Sequence, residues 1–308
     1  MILSEKGLPV IRESGSSPFF DAPSSITKEA QHFFNRAKES DALNFCIEFE
    51  GVNYRCAKGQ TADGLTIAIR KPIIGPPDIN QLGYHKALIK RLVSNDVSGG
   101  MNHGLVVFSG VTCSGKTTSA GALLTERLAR YGGLAVTIED PIELPLQGGY
   151  GPNNHGRCYQ FNNVEELGGV GKTGELSLRF ASPNIIFYGE IRDARAASEA
   201  LKAALSGHLI ITTIHSSGVP ETLERLAAYA SQESGESVYN LLANGLSCII
   251  HQKLVPAIHN NSQEKRLQLY VDFLFANDTI RAKIRDRELH SIYNDMQIQK
   301  NKMIMVGL

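Results

Sequence analysis

The stretch "FSGVTCSGKTTSA", residues Phe108 to Ala120, decides the fold. Gly110, Gly115, Lys116 and Thr117 fill the G-x-x-x-x-G-K-[ST] pattern of a phosphate-binding loop. In such a loop, successive backbone N–H groups curl around phosphate oxygens while the following helix turns its positive end toward them. Lys116 is placed to reach β- and γ-phosphates, and Thr117 to set a hydroxyl on magnesium. The context agrees, because the apolar run "GLVVFS" ahead reads as a strand and "KTTSAGALLTERLARY" behind it as a helix. A chance match in a Gly/Ser loop would not come with both. Cys113 stands where another glycine is expected. The cradle is made of main-chain groups, so Val111, Thr112, Cys113, Ser114 and Thr118 join the nucleotide-binding set whatever their side chains. If position 113 needs a positive φ, a non-glycine residue costs about 1–2 kcal/mol there. That weakens nucleotide binding about tenfold without abolishing it. The thiol reads as a small residue in a small slot before it reads as a redox centre.

Downstream, strand and helix patterns alternate. "GLAVTIED" is a strand, "NIIFYGE" a strand, "ARAASEALKAALSG" a helix and "HLIITTIH" a strand. Continuous apolar runs of this kind suit a mostly parallel sheet buried on both faces by helices, an α/β architecture. Ligands gather at the carboxyl ends of such strands. Gly110, the Glu139–Asp140 pair, Glu190 and His215 all fall at those ends.

Upstream, the pattern differs. Residues 1–25 are rich in Ser, Pro and Gly and read as a mobile arm. "TKEAQHFFNRAKES" has helical spacing, with Ser25 or Thr27 as N-cap, and "NFCIEFE", "VNYRCAK" and "LTIAIRK" read as strands joined by Glu50–Gly51 and Asp63–Gly64 turns. "KPIIGPPDIN" breaks both helix and strand. The expected organisation is a small α+β domain with its arm over 1–72, a stiff hinge over 73–81 and the large α/β domain over 82–308.

The totals narrow the function. The 308 residues are 42% hydrophobic and 20% charged, enough for a sizeable core. Lys plus Arg and Asp plus Glu are 31 each, Trp is absent and aromatics are 7%, which disfavours a generally basic nucleic-acid binder. No apolar run approaches ~18 residues and the start carries no secretory pattern, so a cytoplasmic protein without a transmembrane segment is expected. The five cysteines are scattered and never C-x-x-C, which fits a reducing compartment rather than zinc or disulfides.

The acids near the loop divide by position. In "TIEDPIE", Glu139 and Asp140 end a strand and are candidates to hold metal-bound water or orient an attacking water, whereas Glu143 alone would read as a solvated acid. "NIIFYGE" ends in Glu190, with Gly189 where NTPases often carry a first acid, so Glu190 is the candidate to polarise water. His208 and His215 sit at the two ends of "LIITTI", with His215 at the carboxyl end nearer the expected γ-phosphate.

These motifs, followed by "SSGVPETLERL" and "HQKLVPA", resemble the secretion and type IV pilus motor ATPases, the GspE/PilT family, from about Leu65 to about Arg285. The phrase "GEIRDA…SGH…TTIHSSGVPETLERL" is most similar to the branch serving type IVB secretion and conjugation, with pilus retraction motors close to it. The resemblance implies a RecA-like P-loop NTPase motor domain behind a small α+β N-terminal domain. It also implies a homohexamer holding Mg2+ and ATP between neighbouring subunits, peripheral to the inner membrane through platform or secretion-complex proteins. Lys116 and Thr117 match the phosphate-loop positions, Glu139, Asp140 and Glu143 an acidic box, Glu190 the water-activating glutamate, and His208 and His215 a histidine box. Thr117 and Glu139 are the implied magnesium side, and Glu143, Arg179, Arg192 and His208 the further nucleotide side. Arg55 and Arg70 match N-domain arginines that reach a neighbour's phosphates. Val111 and Cys113 depart from the family's loop, Asn184 stands where aspartate is common, and the glycine-rich 147–175 follows its family segment only loosely.

Three function classes follow: a P-loop ATPase motor, a RecA-like DNA translocase, and a non-hydrolysing nucleotide-binding assembly factor. Intact Lys116, Thr117 and Glu190 favour the first.

Overall fold

The computed structural model describes all residues except 8, 12–18, 72–74, 76, 96–100, 162–167, 180–181, 259–264 and 306–308. The chain divides into two units, Met1–Ile74 and Gly75–Leu308. Residues 73, 74 and 76 of the expected hinge lie outside the described residues. Its last part, Ile79–Gln81, is a 3-10 turn whose Ile79 is buried in the core of the second unit.

The first unit holds β1 (Ile2–Ser4), β2 (Val10–Ile11), β3 (Phe20–Asp21), α1 (Thr27–Glu39), β4 (Asn44–Phe49), β5 (Val52–Thr61) and β6 (Gly64–Arg70). These strands form one antiparallel sheet in the order β3-β2-β1-β6-β5-β4. The expectation of a mobile arm over 1–25 fails at its beginning. Ile2–Ser4 pairs with β6, and Leu3 is buried in the sheet's core, because a Ser/Pro/Gly-rich average hides one apolar strand residue. Ser25 does not cap α1, since it lies inside the 3-10 turn Ser24–Ile26 that leads into the helix. Ala30, Phe33 and Ala37 of α1 pack on Ile47, Cys56, Ile67 and Ile69. Arg55 and Arg70 are directly opposed on β5 and β6, one residue out of step with buried Cys56 and Ile69. Period two therefore puts both on the face away from α1.

The second unit continues with α2 (Lys86–Val93), β7 (Gly104–Gly110), α3 (Lys116–Tyr131), β8 (Gly133–Ile138), β9 (Gly148–Tyr150), β10 (Gly156–Phe161), α4 (Val170–Ser177), β11 (Ile185–Tyr188), α5 (Ala194–Leu205) and β12 (Leu209–His215). It ends with α6 (Val219–Ser234), α7 (Val238–Gly245), β13 (Leu246–Ile258), β14 (Lys265–Phe275), α8 (Asp278–Arg285) and α9 (Ile292–Met305). Its described strands form a sheet in the order β14-β13-β7-β12-β11-β8-β10-β9. From β13 to β10 every neighbour is parallel, and only the edges β14 and β9 are antiparallel.

The apolar runs split by period two, as a sheet covered on both faces requires. Leu105 and Val107 face a layer with Ala200, Leu223 and Leu242 of α5, α6 and α7, while Val106 and Phe108 face Leu88, Leu123 and Leu124 of α2 and α3. Asn184 completes the entry to the sheet, because its Oδ1 accepts from the Leu134 amide at 2.9 Å. An aspartate would accept the same bond.

Buried Arg127 on α3 closes the end of α2. Its Nη1 donates to the carbonyls of Leu92 at 3.0 Å, Val93 at 2.9 Å and Ser94 at 3.3 Å, and its Nη2 reaches Asn95. These are the carbonyls a helix C-terminus leaves unpaired. Arg127→Met should lower stability by about 2–4 kcal/mol, since it orphans several buried acceptors together. Arg127→Lys should recover only part, because an ammonium lacks the planar fork; thermal denaturation of both variants measures this.

Candidate functional site

β7 delivers Gly110 at its carboxyl end, and α3 begins six residues later at Lys116. Between them the backbone turns through positive φ at Gly110 (149°), Cys113 (63°) and Gly115 (82°). Position 113 therefore does require the left-handed region, and an exposed cysteine holds it under strain. Ser114 donates its amide to Val111 O at 3.3 Å, closing the turn. Thr117 and Thr118 occupy the first turn of α3, half-buried, where free N–H groups and the helix dipole favour an anion.

Lys116 is buried, and its Nζ donates to Val111 O at 2.9 Å and meets His215 Nδ1 at 3.3 Å. Burial pulls its ammonium below the ordinary lysine range, and the charges of Glu190, Glu143 and Cys113 pull the other way. An ammonium only donates, so His215 Nδ1 accepts and the ring carries its proton on Nε2. That Nε2 lies 3.3 Å from Glu190 Oε1. Glu190 Oε2 takes the Arg192 fork, Nε at 2.8 Å and Nη2 at 2.7 Å. Lys116, His215, Glu190 and Arg192 thus form one connected line. Arg192 is largely exposed, so its ion pair is weak and can open.

Parallel pairing creates this line. β12 runs beside β7 in register, with His215 opposite Gly110. β11 runs beside β12 and ends at Tyr188, so Glu190 lies just past its end. Thr213 fastens that turn, its Oγ1 donating to Gly189 O at 2.6 Å while Thr213 O accepts from Ile191 N at 3.0 Å.

Glu139 closes the next strand, β8, and is 2% exposed. Burial pushes its carboxyl up to about 7, against bonds from Gln160 Nε2 at 2.9 Å and Glu143 N at 3.5 Å that favour the charged form. A Cβ placed on Gly189 would stand 3.0 Å from Glu139 Cγ, so glycine at 189 makes room for Glu139. Asp140 is exposed and Glu143 half-buried beside it. Magnesium keeps several waters and takes only one or two protein oxygens beside substrate phosphates. A helix-start hydroxyl and a carboxyl held protonated only by burial fit that need, since a nearby cation returns such a carboxyl to its charged form.

Other expected residues lie elsewhere. His208 precedes β12 at the amino edge of the sheet, its carbonyl accepting from Gly104 N at 2.9 Å. Seven residues of strand, roughly 23 Å, separate it from His215, so within this chain it does not join the phosphate loop. Two histidines bracketing one strand look adjacent in sequence but occupy opposite ends of the sheet. Arg179 lies just past α4. Lys172, hydrogen-bonded at 2.9 Å, and then Arg195 and Arg179 hold the exposed Glu175 carboxyl below its ordinary value. The contacts joining Lys116, His215, Glu190 and Arg192 do not include Arg179. Arg55 and Arg70 belong to the first unit, as described above.

Sequence reading missed the back of the loop. Gln252 on β13 is buried, its Nε2 donating to Ser114 O at 2.6 Å and its Oε1 accepting from the Tyr84 hydroxyl at 2.8 Å. Beside it, His251 Nδ1 meets Ser109 Oγ at 3.1 Å. The available signal was "HQKL", two polar residues inside an otherwise apolar buried strand.

Residues 35–303 match the family described as "Type II/IV secretion system protein". The chain is 28% identical over 263 residues to the uncharacterized protein YggR of Escherichia coli, covering 84% of this chain and 74% of that protein. It is 26% identical over 247 residues to the type IV pilus ATPase PilU of Pseudomonas aeruginosa, covering 79% of this chain and 60% of PilU. The crystal structure of the pilus retraction motor PilT with bound ADP superimposes with a TM-score of 0.75 at 24% identity, covering 96% of this chain and 84% of that one. That likeness shows the fold: a mainly parallel α/β sheet flanked by helices, with a small N-terminal sheet unit. Among the described residues, no helix is long and apolar enough to cross a membrane.

Two measurements probe the site's strain and burial. Cys113→Gly removes a cost of about 1–2 kcal/mol and adds glycine's entropy loss of about 0.5–1. A net gain of roughly 0.5–1 kcal/mol should appear as a higher melting temperature of the ligand-free chain, whereas β-branched Cys113→Val should lower it. For Glu139, the native state keeps a proton between the ordinary value of 4.5 and about 7 that the unfolded chain has lost. Native stability from this group therefore falls as pH rises through that window and then levels off. Glu139→Gln should gain on the wild type by up to roughly 3 kcal/mol between pH 4.5 and 8, read from paired denaturation curves.

Proposed function

The chain belongs to the type II/IV secretion system protein family, and from that premise we propose that it is a hexameric Mg-ATP-hydrolysing motor. Its machine is a type IV secretion or conjugation apparatus at the cytoplasmic face of the inner membrane, engaged through platform proteins. The observation that carries the ATPase reading is the connected line Lys116–His215–Glu190–Arg192 beside a phosphate loop at the carboxyl ends of parallel strands. The sequence phrase shared with the type IVB and conjugative branch supports the choice of machine. Similarity to PilU over most of the chain favours pilus retraction as the second reading.

Each residue then has a role in which geometry precedes chemistry. The N–H groups from Val111 to Thr118 receive the phosphates. Lys116 exchanges its bonds to Val111 O and His215 for phosphate oxygens, where an ammonium is worth more than against a neutral carbonyl. Glu190 accepts a proton from the attacking water, and His215, donating from Nε2, holds the carboxylate in the correct rotamer. Bound magnesium, held on the Thr117 and Glu139 side, would neutralise charge on the phosphate oxygens. Arg55 and Arg70 face each other across two strands, and like charges so placed repel. Their match to the family's N-domain arginines supports assigning both to an intersubunit nucleotide.

The test is phosphate release by the purified chain with Mg-ATP. Glu190→Gln should retain nucleotide binding while turnover drops about 100-fold or more, the range a general base contributes. Near-normal turnover by that variant contradicts the role of Glu190, and no release by wild-type chain that binds ATP points to an assembly factor instead.

A further inference from the structure

The two glycines of the phosphate loop have one neighbour in common. A Cβ on Gly110 would stand 2.3 Å from the Gln252 carbonyl oxygen, and one on Gly115 would stand 3.3 Å from Gln252 Nε2. Gln252 is 1% exposed, so the loop curls tightly around a buried amide. Positive φ and this close approach both require glycine at 110.

The amide is not free to rotate. Its Oε1 faces a hydroxyl that donates to it, that of Tyr84, and its Nε2 faces an acceptor, the Ser114 carbonyl. Turning the amide over would set Nε2 against the Tyr84 oxygen and Oε1 against a carbonyl, losing the Ser114 bond in a buried place. Tyr84 is itself 6% exposed, and burial keeps its hydroxyl protonated well above the ordinary tyrosine range. Tyr84 precedes α2, Gln252 sits on β13 and Ser114 lies in the loop, so one chain of two hydrogen bonds ties three distant segments.

We propose that Tyr84 and Gln252 are positioning residues that fix the curvature of residues 110–116: Tyr84 orients the Gln252 amide, and the amide pins the Ser114 carbonyl. Pinning that carbonyl turns the following N–H groups toward the bound phosphates. The strut also compensates the strain at Cys113, because a bond on the adjacent residue opposes relaxation of the left-handed turn. The structural statement concerns loop shape alone; its consequence for nucleotide rests on the function proposed above.

The experiment compares wild type, Tyr84→Phe, Gln252→Ala and Gln252→Glu as full-length chains. Amide hydrogen exchange is followed without ligand, and Mg-ADP binding is followed by calorimetry. Gln252→Glu keeps size and the acceptor for Tyr84 but presents an oxygen to Ser114 O, so it separates hydrogen bonding from packing. Exchange over 110–119 should quicken about tenfold in both Gln252 variants and about threefold in Tyr84→Phe, with β11 and β12 unchanged. The Kd for Mg-ADP should rise by similar factors. Loop exchange unchanged in both Gln252 variants overturns the proposal. A uniform rise across the sheet also overturns it, since Gln252 would then be ordinary core. If the loop responds while wild type takes up no Mg-ADP, the strut stands and the nucleotide reading fails. Tyr84→Phe removes one oxygen atom and remains decisive should a Gln252 variant not fold.

Discussion

The candidate site depends on one constraint, the in-register parallel pairing of β7 and β12. Opposite residues in that ladder are Gly110 and His215, the last of each strand. Because the ladder fixes the two ends together, the loop that follows β7 and the imidazole that ends β12 meet without any dedicated connection. β11 adds Glu190 from the next position in the sheet. A slip of one residue in β12 would exchange its two faces, exposing to one helix layer what belongs to the other. Burial on both faces is thus what holds a polar line at the strand ends.

Buried charge in the second unit is resolved in three different ways, and the differences follow function. Arg127 directs its fork to helix-end carbonyls. Glu139 accommodates burial by holding its proton up to about 7. Lys116 keeps nearby carboxylates and an imidazole, which soften its burial but leave it bound to a neutral carbonyl it can leave. Of the three, only Lys116 is arranged so that a better partner could displace the present ones. The phosphate-binding role proposed for Lys116 needs that property, since a fully satisfied buried ion pair would cost several kcal/mol to open.

Much of this was legible in the sequence, for identifiable reasons. "KTTSAGALLTERLARY" is a helix over Lys116–Tyr131 because its apolar spacing and the preceding glycine mark both register and start. The apolar runs ending at Gly110, Glu139, Glu190 and His215 read as strands, and strand direction alone sends those ends to one edge. Illegible were features set by tertiary approach. The sequence already placed His208 and His215 at opposite ends of one strand, and the parallel ladder puts only His215 beside Gly110. Gln252 carried no local signal for a loop lying 138 positions earlier in the chain. β1 was hidden because a three-residue strand has too short a pattern to outweigh the polar composition around it.

The glycine at 189 bears on how the acids divide their work. A motor of this kind needs one oxygen near the metal and one near water. Two acids in succession after β11 would serve both from one strand, but Glu139 Cγ occupies the space that a side chain at 189 would enter. In the function proposed above, the metal-side acid would come from β8 and the water-side acid from β11. The separation has an electrostatic advantage. Two carboxylates side by side share a proton and raise each other's affinity for it. Placed on different strands, Glu139 responds to burial, while Glu190 lies between the His215 ring and the Arg192 guanidinium.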